Sequence, residues 1–138
     1  ELINAMNTGH KGSMGTVHAN SPEDAIVRLE ALAAGGDAKI SEKALVSQVA
    51  SAIEIIVQIS RYSDGSRKIG AISEIRGIGP DGKYIVVPIF EIQKLVRKPD
   101  GKLEGGIEPT GNIPSFFQEI IDNKINFPAS KFKKIKAA

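Results

Sequence analysis

The 138-residue chain has no cysteine and no tryptophan, and only 5% of its residues are aromatic. Without cysteine it can form neither a disulfide nor a thiolate metal site, which fits a reducing, cytoplasmic setting. It has no run of about twenty apolar residues, so no segment is predicted to span a membrane. The few aromatic residues form no stacking platform among the basic ones, so we expect no direct contact with nucleic acid.

Apolar residues make up 41% of the chain and charged residues 25%, as in ordinary globular proteins. The charge is uneven. Residues 1–60 carry four Lys or Arg against seven Asp or Glu, whereas residues 61–138 carry fourteen against nine. The basic second half, with four lysines in residues 131–138, is either a solvated surface or a face for an anionic partner.

Three helices are predicted early in the chain. One should end near Asn7, before Gly9. A second should start at Ser21 and Pro22, which are typical of a helix start, and a third should run from Ser41 to about Ala52. The helix that starts at Ser21 has an apolar stripe for the core, made of Ala25, Ile26, Leu29, Leu32 and Ala33.

Short strands and glycine turns dominate the rest. Residues 13–18 are predicted as a strand, and residues 54–61, 67–75 and 84–92 as an antiparallel meander whose turns contain Asp-Gly. A terminal helix should cover Ile113–Lys124. The class is therefore α/β, with α/β layers in residues 1–60, and antiparallel strands and a terminal helix in residues 61–138.

The start of the chain predicts that it is a piece of a longer protein. Residue 1 is not Met, and Leu2, Ile3, Ala5 and Met6 already have the pattern of the middle of an amphipathic helix.

The stretch Asn7–Ser21, NTGHKGSMGTVHANS, is rich in hydrogen-bonding and small residues. Such residues suit a surface that approaches a ligand closely. Metal binding by His10 and His18 is not expected, because nothing supplies further ligands at a useful spacing. Two readings stay open: both histidines are held by backbone hydrogen bonds, or they face a phosphate. His18 ends the predicted strand just before a helix, where open α/β sheets bind ligands.

Residues 77–84, GIGPDGKY, fit the G-x-x-x-x-G-K pattern of a nucleotide loop, but we reject that reading. Tyr84 replaces the hydroxyl residue that would bind Mg²⁺. A phosphate loop must also lead into a helix, whereas Pro-Asp-Gly here leads into a predicted strand. We expect a hairpin turn.

The chain resembles the secretion ATPases of type II and type IV systems, which are hexameric motors with RecA-like P-loop domains. MNTGHKGSMGTVHANS (6–21) resembles their histidine box, and the resemblance continues through SPEDAIVRLE (21–30). Residues 48–77 and 108–132 resemble the Tad/Flp-pilus assembly branch. The resemblance covers nearly the whole chain, which would form the C-terminal part of the motor domain.

The resemblance implies roles for individual residues. His18 would lie near the γ-phosphate of ATP and couple its state to domain movement, and His10 would help to position or sense it. Gln48, Arg61 and Arg67 are candidates for subunit contacts. Val46 stands where relatives often have arginine, so contacts of this helix with a neighbouring subunit stay open. The remaining residues expected near the nucleotide are Thr8, Gly9, Ser13, Thr16 and Asn20.

The resemblance also implies a function for the intact protein: a homo-hexameric ATPase that uses ATP and Mg²⁺ to drive pilus assembly or protein export. It would act with a platform protein at the inner face of the cytoplasmic membrane. The Walker A and Walker B segments precede the histidine box in relatives and are absent here, so this chain alone should neither bind ATP tightly nor hydrolyse it. The alternative is a non-catalytic module that docks on the platform protein or on acidic lipid.

Overall fold

The structure is a computed structural model that describes residues 1–9, 12–35 and 39–136. It contains both helices and strands, so the α/β class is confirmed, while the RecA-like architecture stays a prediction. None of the described helices is long and apolar enough to cross a membrane. The helices are α1 (Leu2–Asn7), α2 (Pro22–Ala34), α3 (Glu42–Ala52) and α4 (Phe117–Asp122), with a 3-10 turn at Ala129–Phe132; the strands are β1 (Ile55–Arg61), β2 (Arg67–Ile78), β3 (Tyr84–Ile92), β4 (Val96–Arg97), β5 (Leu103–Glu104) and β6 (Ile107–Pro109).

The main sheet has four strands in the order β1-β2-β3-β6. Tight turns join β1 to β2 and β2 to β3, which requires antiparallel pairing. Strand β6 is also antiparallel to β3, with Phe90 opposite Pro109 and Ile92 opposite Ile107. Strands β4 and β5 form a separate antiparallel pair. The predicted meander is therefore confirmed.

Three hairpin turns share one geometry. In each, a glycine N–H donates to the carbonyl three residues earlier over 2.8 to 3.0 Å, and the glycine has φ between +78° and +83°. The preceding aspartate accepts, through Oδ1, the N–H two residues further on, over 3.0 Å. One of these turns is the GPDGK sequence, so the rejection of a nucleotide loop is confirmed. The turns are Tyr62–Ser66, Gly79–Lys83 and Lys98–Lys102.

The helix starts follow the predicted caps. The Ser21 hydroxyl accepts the Asp24 N–H over 3.0 Å at the start of α2, and Ser41 accepts the Ala44 N–H over 3.3 Å at the start of α3. The predicted stripe of α2 is wrong at Leu32, whose side chain is 64% exposed. Six residues at 3.6 per turn place Leu32 about 120° around the helix from the buried Ile26.

The chain forms two compact units. The first unit consists of Glu1–Ile56 and Ile75–Val86. Its core is aliphatic: Ile26, Val49 and Ile75 form one buried cluster. The predicted domain division at residue 60 stays a prediction. Side chains that pack partly buried against this cluster are Leu29, Ile53, Ile56, Tyr84 and Val86.

The second unit consists of Val57–Glu74 and Val87–Ala138. Its core is aromatic, because Phe132 is 3% exposed and its ring packs against three others. The ring centroids lie 5.8 Å from Phe90, 5.6 Å from Phe117 and 5.1 Å from Phe127. The 3-10 turn thus closes this unit with a single large side chain.

Helix α4 is shorter than the predicted span of Ile113–Lys124. Pro114 restricts the chain before the helix, and Ser115 instead donates its backbone N–H to both oxygens of the buried Glu74 carboxylate over 3.1 Å. At the other end Lys124 has a left-handed backbone, φ +55°, and the Ile125 N–H returns to the Ile120 carbonyl over 3.0 Å. This is how a helix commonly ends.

The predicted strand at residues 13–18 is wrong. These residues form no regular element. A strand is stable only beside a neighbour that satisfies its backbone groups, and the described strands of this chain all begin after residue 54. The described residues among 1–54 therefore contribute helices and an irregular segment, and no strand.

Candidate functional site

The polar segment, defined as residues 12–20, follows α1 in the chain, and α1 is fastened to α3. Asn7 donates through Nδ2 to the Gln48 carbonyl over 3.0 Å, and its Oδ1 accepts the Ser51 hydroxyl over 3.0 Å. One amide thus makes two hydrogen bonds across the helix pair. Gln48, predicted to contact another subunit, holds Asn7 here through its backbone.

Glycine allows the chain to leave α1 sharply. The Thr8 N–H and hydroxyl both donate to α1, to Asn4 and Ala5 over 3.0 and 3.1 Å. Gly9 follows with φ +90°, a backbone conformation that favours glycine. A Cβ at Gly15 would lie 2.6 Å from Leu2 Cδ2, so the segment passes close beside α1.

The far end of the polar segment is fixed by α2. Ser21 caps that helix, and Glu23 and Asp24 lie in its first turn. Because the cap is satisfied and two carboxylates stand beside it, this helix end is not the place for an anion. Any anion near the segment must be bound by side chains that precede Ser21.

The middle of the polar segment presents hydrogen-bonding side chains at the surface. Among the predicted residues, Ser13, Thr16, His18 and Asn20 are exposed, as are Thr8 and Gly9 before them. Hydroxyls, an amide and an imidazole can all donate to phosphate oxygens. The structure thus places these residues in one stretch of chain that passes beside α1 and ends at the capped start of α2. His10 lies outside the described residues.

A metal centre is not indicated in this part of the molecule. Across residues 1–9, 12–35 and 39–136, no three His, Cys, Asp or Glu side chains are grouped so that they could hold an ion.

Arg61 and Arg67 belong to the second unit and flank the turn at Asp64. Both are exposed. The Tyr62 N–H donates to the Ser66 carbonyl over 2.9 Å, so the two arginines, one residue further out, face each other across the hairpin.

A partly buried side-chain hydrogen bond, which sequence reasoning missed, joins Tyr84 to Glu30. The Tyr84 hydroxyl donates to Glu30 Oε1, and the Val46 carbonyl lies 3.3 Å from the same hydroxyl. Burial, and then the hydrogen bond and charge of Glu30, raise the pKa of Tyr84 above its ordinary value. Val46, where relatives often have arginine, therefore contributes its carbonyl to the packing of α3. No pattern in the sequence links residues 30 and 84.

Comparison with known proteins finds relatives that are named as conjugal transfer proteins. The putative conjugal transfer protein Rv3659c of Mycobacterium tuberculosis (strain ATCC 25618 / H37Rv) is 41% identical over 76 residues, which are 55% of this chain and 21% of that protein. The conjugal transfer protein TrbB of Rhizobium radiobacter is 34% identical over 76 residues, 55% of this chain and 22% of its own length. The chain thus spans about a fifth of the length of these curated relatives.

The family comparison covers the polar segment and both of its flanking helices. The family model described as type II/IV secretion system protein matches residues 1–82, which is more than half of the chain. That span contains the first hairpin, the α3 helix and every predicted nucleotide-proximal residue. The chain belongs to the type II/IV secretion system protein family.

Proposed function

We propose that this chain is the histidine-bearing part of an ATPase that powers pilus assembly or protein export. Family membership supports an ATPase in a secretion machine, and relatives named as conjugal transfer proteins fit the same class of machine. The proposal includes the Tad/Flp branch, a homo-hexamer, a platform protein as partner and a location at the inner face of the cytoplasmic membrane.

The observation that carries the proposal is an exposed segment that passes close beside α1 and ends at the capped start of α2. A Cβ at Gly15 would lie 2.6 Å from Leu2 of α1. Asn7 ties α1 to α3 over 3.0 Å, and Ser21 caps α2. Between Gly15 and Ser21 lie the exposed side chains of Thr16 and His18. Such a segment can move by a small distance when a phosphate appears or leaves and pass that movement to two helices.

The residues of the segment fit a phosphate rather than a metal. His18 would donate from its imidazole to a γ-phosphate oxygen, while the hydroxyls of Ser13 and Thr16 and the amide of Asn20 would donate nearby. Thr8, Gly9 and His10 would shape the entrance. ATP with Mg²⁺ supplies the transferable phosphoryl group, and positioning together with electrostatic stabilisation governs its transfer. Gln48, Arg61 and Arg67 are proposed to contact neighbouring subunits.

The test uses the intact protein. His18→Ala should leave ATP binding within about twofold of the wild type and lower turnover on the order of 10²-fold, because it removes a donor used during reaction. Met14→Ala is the matched control, since Met14 lies in the same segment and is 91% exposed. Turnover that is unchanged in His18→Ala would overturn the role of this residue.

The isolated chain offers a second test. Its G-x-x-x-x-G-K match lies in a hairpin turn between β2 and β3, so this sequence does not form a loop that holds phosphates. We expect the purified chain to show no magnesium-dependent ATP hydrolysis. A preparation of His18→Ala, purified in the same way, measures the contribution of contaminating ATPases. Turnover that is present in the wild-type chain and absent from the His18→Ala chain would contradict the expectation.

The second candidate function is docking without catalysis. The basic C-terminal residues support it, because Lys131, Lys133 and Lys134 are exposed. Reversing these three charges should impair docking on an acidic partner and spare ATP hydrolysis in the intact protein, whereas His18→Ala should do the opposite. A triple reversal that leaves docking intact would remove this candidate.

A further inference from the structure

The second unit has an open hollow between α4 and the 3-10 turn. Its volume is about 460 Å³, and it is shallow and wide open to solvent. Aromatic and aliphatic side chains supply most of its wall, and the only charged residue among those that line it is a lysine. The main lining residues are Phe117, Ile121, Lys124, Ile125, Phe127 and Pro128.

Two isoleucines of the hollow face solvent. Ile121 is 51% exposed and Ile125 is 59% exposed. They stand on either side of the left-handed Lys124, which holds the chain in the sharp bend that opens the hollow. Covering these side chains would remove apolar surface from water, which favours binding.

The surroundings of the hollow are basic. Lys131 lies with its Nζ 5.7 Å from the centre of the Phe127 ring, so its ammonium is held at the rim by a cation–π contact. Residues 113–136 contain five lysines against two carboxylates, Glu119 and Asp122. The Asp122 carboxylate accepts the Gln118 side-chain amide over 2.8 Å. The net charge of this stretch of chain, with Lys124 and Lys131 at the hollow itself, therefore favours an anionic partner.

We propose that this hollow binds an acidic amphipathic helix of a partner protein. An apolar side chain of that helix enters between Ile121 and Ile125, and its carboxylates reach the rim lysines, including Lys124 and Lys131. A helix presents such anchors at positions i, i+3, i+4 and i+7. This proposal does not depend on ATP hydrolysis, so it can be tested separately from the proposed ATPase function.

The shape of the site favours a protein over a bilayer. A surface that enters a membrane projects its apolar side chains outward into the lipid. Here the half-buried rings of Phe117 and Phe127 lie at the floor of a shallow depression, which a side chain that projects from a partner can cover. The lysines then favour a negatively charged partner over a positively charged one and raise the rate of association.

The experiment uses the full chain and a fluorescent synthetic helical peptide with leucines at i, i+3, i+4 and i+7 and glutamates elsewhere. Binding is followed by anisotropy at low salt. We expect saturable binding that weakens as salt is raised, and amide shifts in NMR spectra confined to residues around 117–131. A peptide with the same composition in scrambled order should bind about tenfold more weakly.

Matched variants separate the hollow from general electrostatics. Ile125→Ser and Lys131→Glu should each weaken binding about tenfold. The controls are Ile59→Ser, at a residue that is 60% exposed on β1, and Lys102→Glu, in an exposed turn; both should stay within about twofold. Circular dichroism checks that each variant is folded, and Lys131→Glu carries the test if Ile125→Ser is not.

Three results would overturn the proposal. The first is equal binding of the ordered and scrambled peptides, which would mean charge attraction alone. The second is an equal loss in the site variants and in their controls. The third is binding to vesicles that contain phosphatidylglycerol without binding to the peptide, which would assign this surface to an anionic membrane instead.

Discussion

The two units of the chain are closed by different kinds of side chain. The first has a small aliphatic cluster around Ile26 and Val49, and it leaves Val27 63% and Leu32 64% exposed. The second is closed by Phe132 and three further aromatic rings. The exposed polar segment belongs to the first unit. Segments that must move with a ligand are commonly the ones that bury little apolar surface and lack sheet partners, and this comparison fits that rule.

The largest expected effect comes from removing the central aromatic side chain of the second unit. Phe132→Ala should lower the free energy of unfolding by about 3–5 kcal/mol, because it loses a buried ring and leaves a cavity. The measurement is urea unfolding followed by circular dichroism. Ile135→Ala, three residues further on and 61% exposed, should change stability by less than about 0.5 kcal/mol.

This pair of variants tests whether the second unit is closed by aromatic side chains while the first is closed by aliphatic ones. A cost below about 1 kcal/mol for Phe132→Ala would mean that the aromatic cluster does not close the second unit.

Tyr84→Phe tests the polar link within the first unit. It removes the hydroxyl that donates to Glu30, and we expect a loss of about 1–2 kcal/mol because a half-buried acceptor loses its donor. Tyr62→Phe in the second unit is the control and should cost less than about 0.5 kcal/mol. Ultraviolet titration should also show one tyrosine that ionises above the ordinary range, and that signal should vanish in Tyr84→Phe.

Asp64→Asn should change how stability depends on pH. The Ser66 hydroxyl, then the backbone N–H groups of Leu103 and Ser66, lower the pKa of Asp64 to about 2. An unfolded aspartate titrates near 3.9, so the stabilisation is present above about pH 4 and is lost as the pH falls towards 2. Urea unfolding from pH 5 to pH 2 should show a flatter acid dependence in Asp64→Asn than in the wild type.

The matched control for that titration is Asp100→Asn. Asp100 occupies the same place in another turn and accepts the Lys102 N–H over 3.0 Å. The residue two positions after Asp64 is Ser66, whose hydroxyl donates to that carboxylate. The residue two positions after Asp100 is Lys102, which has no hydroxyl. An equal flattening in both variants would contradict the assignment to the Ser66 and Leu103 contacts.

The smallest effect is expected at Lys124. Its φ of +55° suits glycine, so Lys124→Gly should raise stability by about 0.5–1 kcal/mol in thermal unfolding. Lys124→Ala keeps the left-handed strain and should not show this gain. Because Lys124 also lines the hollow, both variants should bind the acidic peptide more weakly, which separates stability from docking.

Local chemistry was readable from the sequence, and contacts between distant segments were not. Ser21 and Ser41 marked helix starts correctly, and the Asp-Gly pairs marked the turns, because caps and turns depend on a few adjacent residues. The strand predicted at residues 13–18 failed, since a strand depends on a neighbour that local sequence does not reveal.

Two further details of the site region lay beyond sequence reasoning. The fastening of Asn7 to Gln48 and Ser51, and the link from Tyr84 to Glu30, join residues about forty and fifty positions apart. The end of α4 was missed because lysine rarely adopts the left-handed backbone seen at residue 124. His18 was found through resemblance to a family, and its exposure is compatible with the role proposed for it.

The repeated hairpin turn also has a practical consequence. The turn at Asp64 is tied down by the Leu103 N–H over 2.7 Å, whereas Pro80, Asp81 and Gly82 are all exposed at the tip of their hairpin. Exposed tips of this kind are the positions at which proteins tolerate inserted sequence. The β2–β3 tip is therefore a suitable place to insert a fluorescent reporter, so that the protein could be followed without altering its polar segment.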